Sequence, residues 1–145
     1  MTYQPVEGFP ALYGVPQPRV ELRDRMAIVE VDDVVDGRAR SIRIVFEPFQ
    51  AVRITTEDCF IYEDEEGEED ESLEGLVEVV GSPWVEELTA ALAQLNKTAT
   101  FMNKARHFLI TTRENVVEVV AWEARWDVWL HVDKRGVRRL NWAGP

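Results

Sequence analysis

Ala27-Ile28-Val29-Glu30-Val31, then Asp36-Gly37, then Arg38-Ala39-Arg40-Ser41-Ile42-Arg43-Ile44-Val45-Phe46 decide how this chain folds. The first run is rich in β-branched side chains, which suit a pleated, half-buried surface. Asp36-Gly37 marks a tight hairpin turn, because that turn needs positive φ and glycine accepts it at little steric cost. The second run alternates polar and apolar residues in part, as in Arg40/Ile42 and Arg43/Ile44, which is the signature of a strand with one wet face. Pro48 is expected to end that strand. Phe49 to Thr56 repeats the pattern, with Val52 and Ile54 on one face and Arg53 and Thr55 on the other. Cys59 to Tyr62 then extends it after a kink or forms a short strand of its own. Together these runs predict an antiparallel meander.

The remaining elements follow outward from this hairpin. Leu76 to Val80 reads as a short returning strand. Ser82-Pro83 opens the clearest helix. Ser82 is a good N-cap, Pro83 suits the first helical position, and Glu86 and Glu87 favour the positive end of the helix dipole. Trp84, Val85, Leu88, Ala91, Leu92 and Leu95 form one apolar stripe at spacings of one, three and four residues, and Asn96-Lys97 closes the helix. The stripe is expected to be core, with Leu88 and Leu92 at its centre. His107 to Thr112 and Val116 to Trp122 predict a second hairpin, turned at Asn115 in the left-handed conformation. Trp126 to Val132 and Val137 to Trp142 add two further strands. The expected fold is α+β, a mainly antiparallel β-sheet packed against one principal α-helix. A chain of 145 residues fits one domain, residues 1–145. Its first 25 residues read as an extended Pro-rich arm, because Pro5, Pro10, Pro16 and Pro18 preclude a regular helix or a central strand. Tyr3, Phe9, Leu12 and Tyr13 are expected to pin that arm to the domain.

Charge is the second decisive feature. Nine of the twelve residues from Glu63 to Glu74 are acidic, in a chain with 27 acids, 16 bases and a net charge of −11. Without them, 18 acids nearly balance the 16 bases. Residues 63–75 therefore read as a solvated, mobile acidic loop on a nearly neutral domain. Such a loop favours a basic protein partner, with Glu65, Glu66, Glu68, Glu69, Asp70 and Glu71 as its contact residues. A loop that only aids solubility is the plain alternative. A clamp on the chain's own Lys134, Arg135, Arg138 and Arg139 is another. Nucleic acid and anionic membranes repel this charge, so neither is an expected partner. Five tryptophans are many for this length. Trp126 and Trp129 are the candidates for a partner-binding surface.

No catalytic or metal-binding motif is present. His107 and His131 sit alone in strand-like runs, without ligand spacing, and read as structural histidines. The acidic run does not follow the order of a calcium-binding EF-hand loop. No cofactor and no metal is therefore expected. A single cysteine, Cys59, precludes an intrachain disulfide and reads as a small buried hydrophobe. Residues 1–18 lack the basic start and apolar run of a secretory leader, and no stretch approaches the ~20 apolar residues of a membrane span. The expected location is the cytoplasm.

Phe46, Ala51, Arg53, Thr55 and Glu57 match a strand pattern, F-x-x-x-x-A-x-R-x-T-x-E, that precedes a variable loop in small uncharacterised bacterial proteins. Ser82-Pro83-Trp84, His107-Phe108-Leu109-Ile110 and Glu118-Val119-Val120-Ala121 resemble the rest of it. The resemblance spans about residues 42 to 122, and some proteins of this build accompany toxin genes as immunity proteins. It implies a fold, supplies no catalytic residue, and places the acidic run in the most variable region. The leading expectation is thus a non-enzymatic bacterial immunity protein that neutralises a basic toxin. The alternatives are a small enzyme whose polar groups meet only in three dimensions, with His107, Arg53, Glu57 and Arg113 as its candidates, or an adaptor or structural subunit using exposed tryptophans.

Overall fold

The computed structural model describes residues 1–13, 17–60, 75–132 and 136–142, with side chains through His131. Its elements are β1 (Thr2–Pro5), β2 (Arg19–Arg23), β3 (Met26–Val35), β4 (Arg38–Thr56), β5 (Gly75–Val80), α1 (Pro83–Leu95), β6 (Arg106–Thr111), β7 (Asn115–Val132) and β8 (Gly136–Trp142). One antiparallel sheet runs in the order β1-β5-β6-β7-β4-β3-β2, and β8 also pairs with β7. The fold is α+β, mainly sheet with one principal helix, as expected. The turn between β3 and β4 has Asp36 and Gly37 at φ 51° and 74°, the positive values that the hairpin demands.

Two long strands form the spine of the sheet. The 19-residue β4 pairs with the 18-residue β7 along nearly its whole length. The first half of β7 pairs on its other side with β6, and its second half with β8. The expected breaks in both strands are absent. Pro48 does not end β4: it falls in a gap of the β4–β7 register, beyond the last β3 partner, so no ladder N–H is needed there. The register shifts by one residue between Phe49 and Ala51. Such a bulge bends a strand and strengthens its twist. The core-facing residues of β7 show the same bend. They run Val117, Val119, Ala121, then Ala124, Trp126, Val128, a change of step at residues 121–124.

The bend closes the sheet over its own concave face. One buried cluster holds Val29, Val31, Ile42 and Ile44 from one half together with Leu76, Phe108, Ile110, Val117 and Val119 from the other. Phe46 and Phe108 meet there with ring centroids 5.4 Å apart. The N-terminal segment fills the same space. Leu12 is buried, Val6 and Phe9 pack on the cluster, and Phe9 meets Trp126 edge-on at 5.3 Å. A buried ion pair holds the segment down. Arg40 Nε donates to Asp33 Oδ1 at 2.8 Å and Arg40 Nη2 to the Ala11 carbonyl at 2.8 Å, while Asp33 Oδ2 accepts from the Tyr13 amide at 3.1 Å. The first 25 residues thus contribute two edge strands, β1 and β2, as well as this plug. Tyr13 itself points outward.

This packing overturns the expected role of the helix. The capping is as read: the Ser82 Oγ accepts from the Val85 amide at 3.2 Å, with Pro83 at the first helical position. Yet no residue of α1 is buried. Leu88 and Leu92 are only half-buried and Leu95 is exposed. The sheet and the N-terminal segment already fill the core, so α1 lies on the outer, convex side. Two smaller expectations also change. Asn115 does not adopt a left-handed conformation. The Thr112 amide and hydroxyl both donate to the Asn115 carbonyl, which closes the turn from residues 112–114 instead. Cys59 is exposed rather than buried, because residues 57–59 form a 3-10 turn beyond the end of β4, where the sheet offers no core face.

Candidate functional site

The outer face of the sheet carries what the inner face cannot tolerate. Alternation along β4, β6 and β7 sends Phe46, Phe108 and Val119 inward and Arg53, His107 and Glu118 outward. Arg53 and Glu118 are direct cross-strand partners. His107 lies diagonal to Glu118 across β6 and β7. The first turn of α1 covers this spot, because β5 ends at Val80 and Gly81, at φ 72°, turns the chain back over the sheet.

Four side chains join in one line. Ser82 Oγ lies 2.7 Å from His107 Nδ1, and His107 Nε2 lies 2.9 Å from Glu118 Oε1. Arg53 then clamps the carboxylate, with Nε donating to Oε2 at 2.6 Å and Nη2 to Oε1 at 2.9 Å. Ser82, His107 and Glu118 are all buried, whereas the Arg53 side chain is 48% exposed. Burial alone would push the Glu118 carboxyl up. The hydrogen bonds from His107 and Arg53 outweigh it and hold the group below the ordinary carboxylate range. An ionised Glu118 accepts the proton of His107 Nε2. That leaves Nδ1 as the acceptor for the Ser82 hydroxyl. The indole of Trp84 completes the arrangement: the Arg53 guanidinium sits 4.2 Å from its centroid, and the His107 ring meets it edge-on at 5.3 Å.

A pocket of about 310 Å³ opens over this line, walled by the four residues with Trp84, Phe60, Tyr3 and Met1. Val77, Val79, Leu109 and Val116 form its apolar surroundings, a second cluster on the outer face. A related but more open chain of bonds lies in the other half of the sheet. Arg19 Nη1 donates to Asp32 Oδ2 at 2.6 Å, the Ser41 hydroxyl bonds Asp32 Oδ1, and Ser41 Oγ lies 2.8 Å from His131 Nε2. Arg19, aided by Ser41, holds the Asp32 carboxyl below its ordinary range despite partial burial.

The structure sorts the residues singled out in the sequence. Of the enzyme candidates, it brings His107 and Arg53 together. Glu57 and Arg113 do not join them: the Glu57 amide bonds the Glu114 carbonyl at the turn end of the β6–β7 hairpin. Trp126 is not a surface residue. It is 5% exposed, packed in the core against Phe9, because its position in β7 follows the inward step set by the bend. Trp129 is half-buried on the same strand. Glu65, Glu66, Glu68, Glu69, Asp70 and Glu71 lie outside the described residues, as does the expected mobility of their loop. The sequence pattern does not point to Glu118 or Trp84 as site residues, and it identifies Ser82 only as a helix cap. Glu118 left one readable signal: it is the lone charge in Val116-Val117-Glu118-Val119-Val120, where a buried strand has no use for an unpaired acid.

Among the described residues no helix is long and apolar enough to cross a membrane. No family model, no curated protein and no solved structure matches the chain.

Proposed function

We propose that this chain is a binding protein of the immunity type, which docks a basic protein partner through its acidic end. The observation that carries the reading is where the described acids stand. In sequence the run from Glu63 to Glu74 lies between the 3-10 turn that follows the end of β4 at Thr56 and the start of β5 at Gly75. The exposed side chains of Glu57, Asp58 and Glu114 cluster at that end, linked by the bond between the Glu57 amide and the Glu114 carbonyl. Arg113 is a lone base among them. The domain elsewhere is nearly neutral, so its field is concentrated at one end. A concentrated field steers an oppositely charged partner and speeds encounter more than it deepens affinity. A basic toxin of the cytoplasm, whose active surface such an end would cover, fits this chemistry, and docking of this kind requires no reaction.

The test is retention of a basic protein from the source cell by the immobilised chain. The comparison is a variant with Glu65, Glu66, Glu68 and Glu69 changed to Gln, which keeps side-chain size and removes four charges. The wild-type chain should retain a basic protein at low salt and release it as salt rises, and the variant should retain much less. Equal retention by both chains at every salt concentration would overturn the reading.

A further inference from the structure

We propose that Ser82 is a nucleophile that accepts an acyl group, and that the pocket above it hydrolyses small carboxylic esters with an apolar acyl chain. The inference is independent of the docking reading, since none of the residues involved lies at the acidic end.

The geometry meets the requirements of nucleophilic catalysis in turn. A serine hydroxyl is inert unless a base is held against it and that base is itself oriented. Here His107 Nδ1 is 2.7 Å from Ser82 Oγ, and Glu118 fixes the ring from the other nitrogen at 2.9 Å. The two ring nitrogens have exchanged roles relative to the familiar serine-protease arrangement, but such a triad is recognised by geometry and roles. One nitrogen takes the proton and the other bears an N–H locked on a carboxylate. Arg53 keeps that carboxylate charged and in place. Ser82 Oγ accepts one hydrogen bond, from the Val85 amide, and donates one, which leaves a second lone pair for attack. Trp84 stands in the first turn of α1, where a helix N–H has no intrahelical acceptor, and it lines the pocket beside Ser82; its amide is the donor for a developing oxyanion. Phe60, Tyr3, Met1 and Val79 supply an apolar wall for the acyl chain.

The step balances without any further reagent than water. Ser82 Oγ adds to the ester carbonyl carbon while its proton passes to His107 Nδ1. The imidazolium so formed is neutralised by Glu118. Collapse of the tetrahedral adduct breaks the bond to the alcohol oxygen, which takes the proton from Nδ1. Water then attacks the acyl-serine, gives its proton to Nδ1, and releases the carboxylic acid as the proton returns to Ser82.

The experiment uses the whole chain with p-nitrophenyl butyrate and, separately, a fluorophosphonate probe that labels activated serines. We expect an initial burst of nitrophenolate approaching one equivalent per chain, slower turnover after it, and a single label that peptide mass mapping places on Ser82. Ser82→Asn retains a capping side chain but has no hydroxyl. It should lose the burst and at least about 100-fold in turnover, the lower end of what an activated proton transfer contributes. A native chain that takes no label on Ser82, a label placed elsewhere, or hydrolysis unchanged in Ser82→Asn would each overturn the proposal. The labelling result is read on the wild-type chain, so it stands even if the variant folds poorly.

Discussion

Replacing Glu118 with Leu tests the network that organises the outer face. The carboxylate is buried between two donors of unequal exposure: the His107 side chain is 5% exposed and that of Arg53 48%. Removing one member of a buried pair costs about 3–5 kcal/mol when the other charge stays buried. Arg53 does not stay buried, because its guanidinium can turn to water and retains the Trp84 ring, so most of that charge penalty is relieved. His107 has no such escape. In either tautomer its buried Nε2 loses the one partner seen among the described residues, at about 1–3 kcal/mol. The two contributions together place the loss at about 2–4 kcal/mol. Urea unfolding would register it as a midpoint lower by about 1–2 M with the slope unchanged, given slopes of about 1–3 kcal/mol per molar for small domains. Arg53→Ala should cost at least as much, because it leaves the Glu118 carboxylate buried with only the His107 N–H against it. The double variant should cost less than the two single losses combined, because the partners are in contact. A Glu118→Leu unfolding free energy within about 0.5 kcal/mol of wild type would refute the reasoning, since no buried donor would then depend on that carboxylate.

The other predictions concern the core, the arm and pH. Leu88→Ala and Leu92→Ala should each cost about 1 kcal/mol or less in urea unfolding, because both side chains are half-buried on the outer side, whereas Phe46→Ala should cost about 3–5 kcal/mol. Asp33→Ala leaves Arg40 buried without its partner and releases Ala11 to Tyr13, so it should destabilise the fold by about 3–5 kcal/mol and make the N-terminal segment more sensitive to limited proteolysis. Glu118 and Asp32 both titrate below their unfolded values. Their stabilisation is therefore fully present above about pH 5 and is lost as pH falls through the lower folded values. Glu118→Gln should flatten the acid limb of a stability-against-pH curve measured in urea, and an unchanged limb would count against the assignment.

Much of the fold is legible in the residues, and the exceptions share a cause. The β3–β4 hairpin declares itself through Asp36-Gly37, and the start of α1 through Ser82-Pro83, because both depend on local backbone chemistry. Pattern reading instead breaks β4 at Pro48 and β7 near Trp126. Continuity there depends on a bulge and on which partner strands remain, and neither is a local property. The stripe on α1 reads as core for the same reason. Its periodicity shows which side is apolar, but the competing filler is a sheet bent over itself with Leu12 and Phe9 plugged into it. The site was half visible. His107 and Arg53 could be singled out as isolated polar groups in strands. Ser82 and Glu118 reach them only because Gly81 turns the chain back and because β4, β6 and β7 lie side by side. Trp126 reads as a surface residue because the change of step in β7 at residues 121–124, which turns it inward, is not a local property of the sequence.

Association rate against ionic strength, for the captured basic partner with the wild-type chain and with the variant carrying Gln at 65, 66, 68 and 69, tests the account most directly. Exposed charges are screened beyond about 8 Å at physiological salt. Steering by the acidic end therefore predicts a wild-type rate that falls steeply as salt is raised, a variant rate that is lower at low salt and less salt-dependent, and dissociation rates that differ far less. Two chains with the same association rate and the same salt dependence would contradict it.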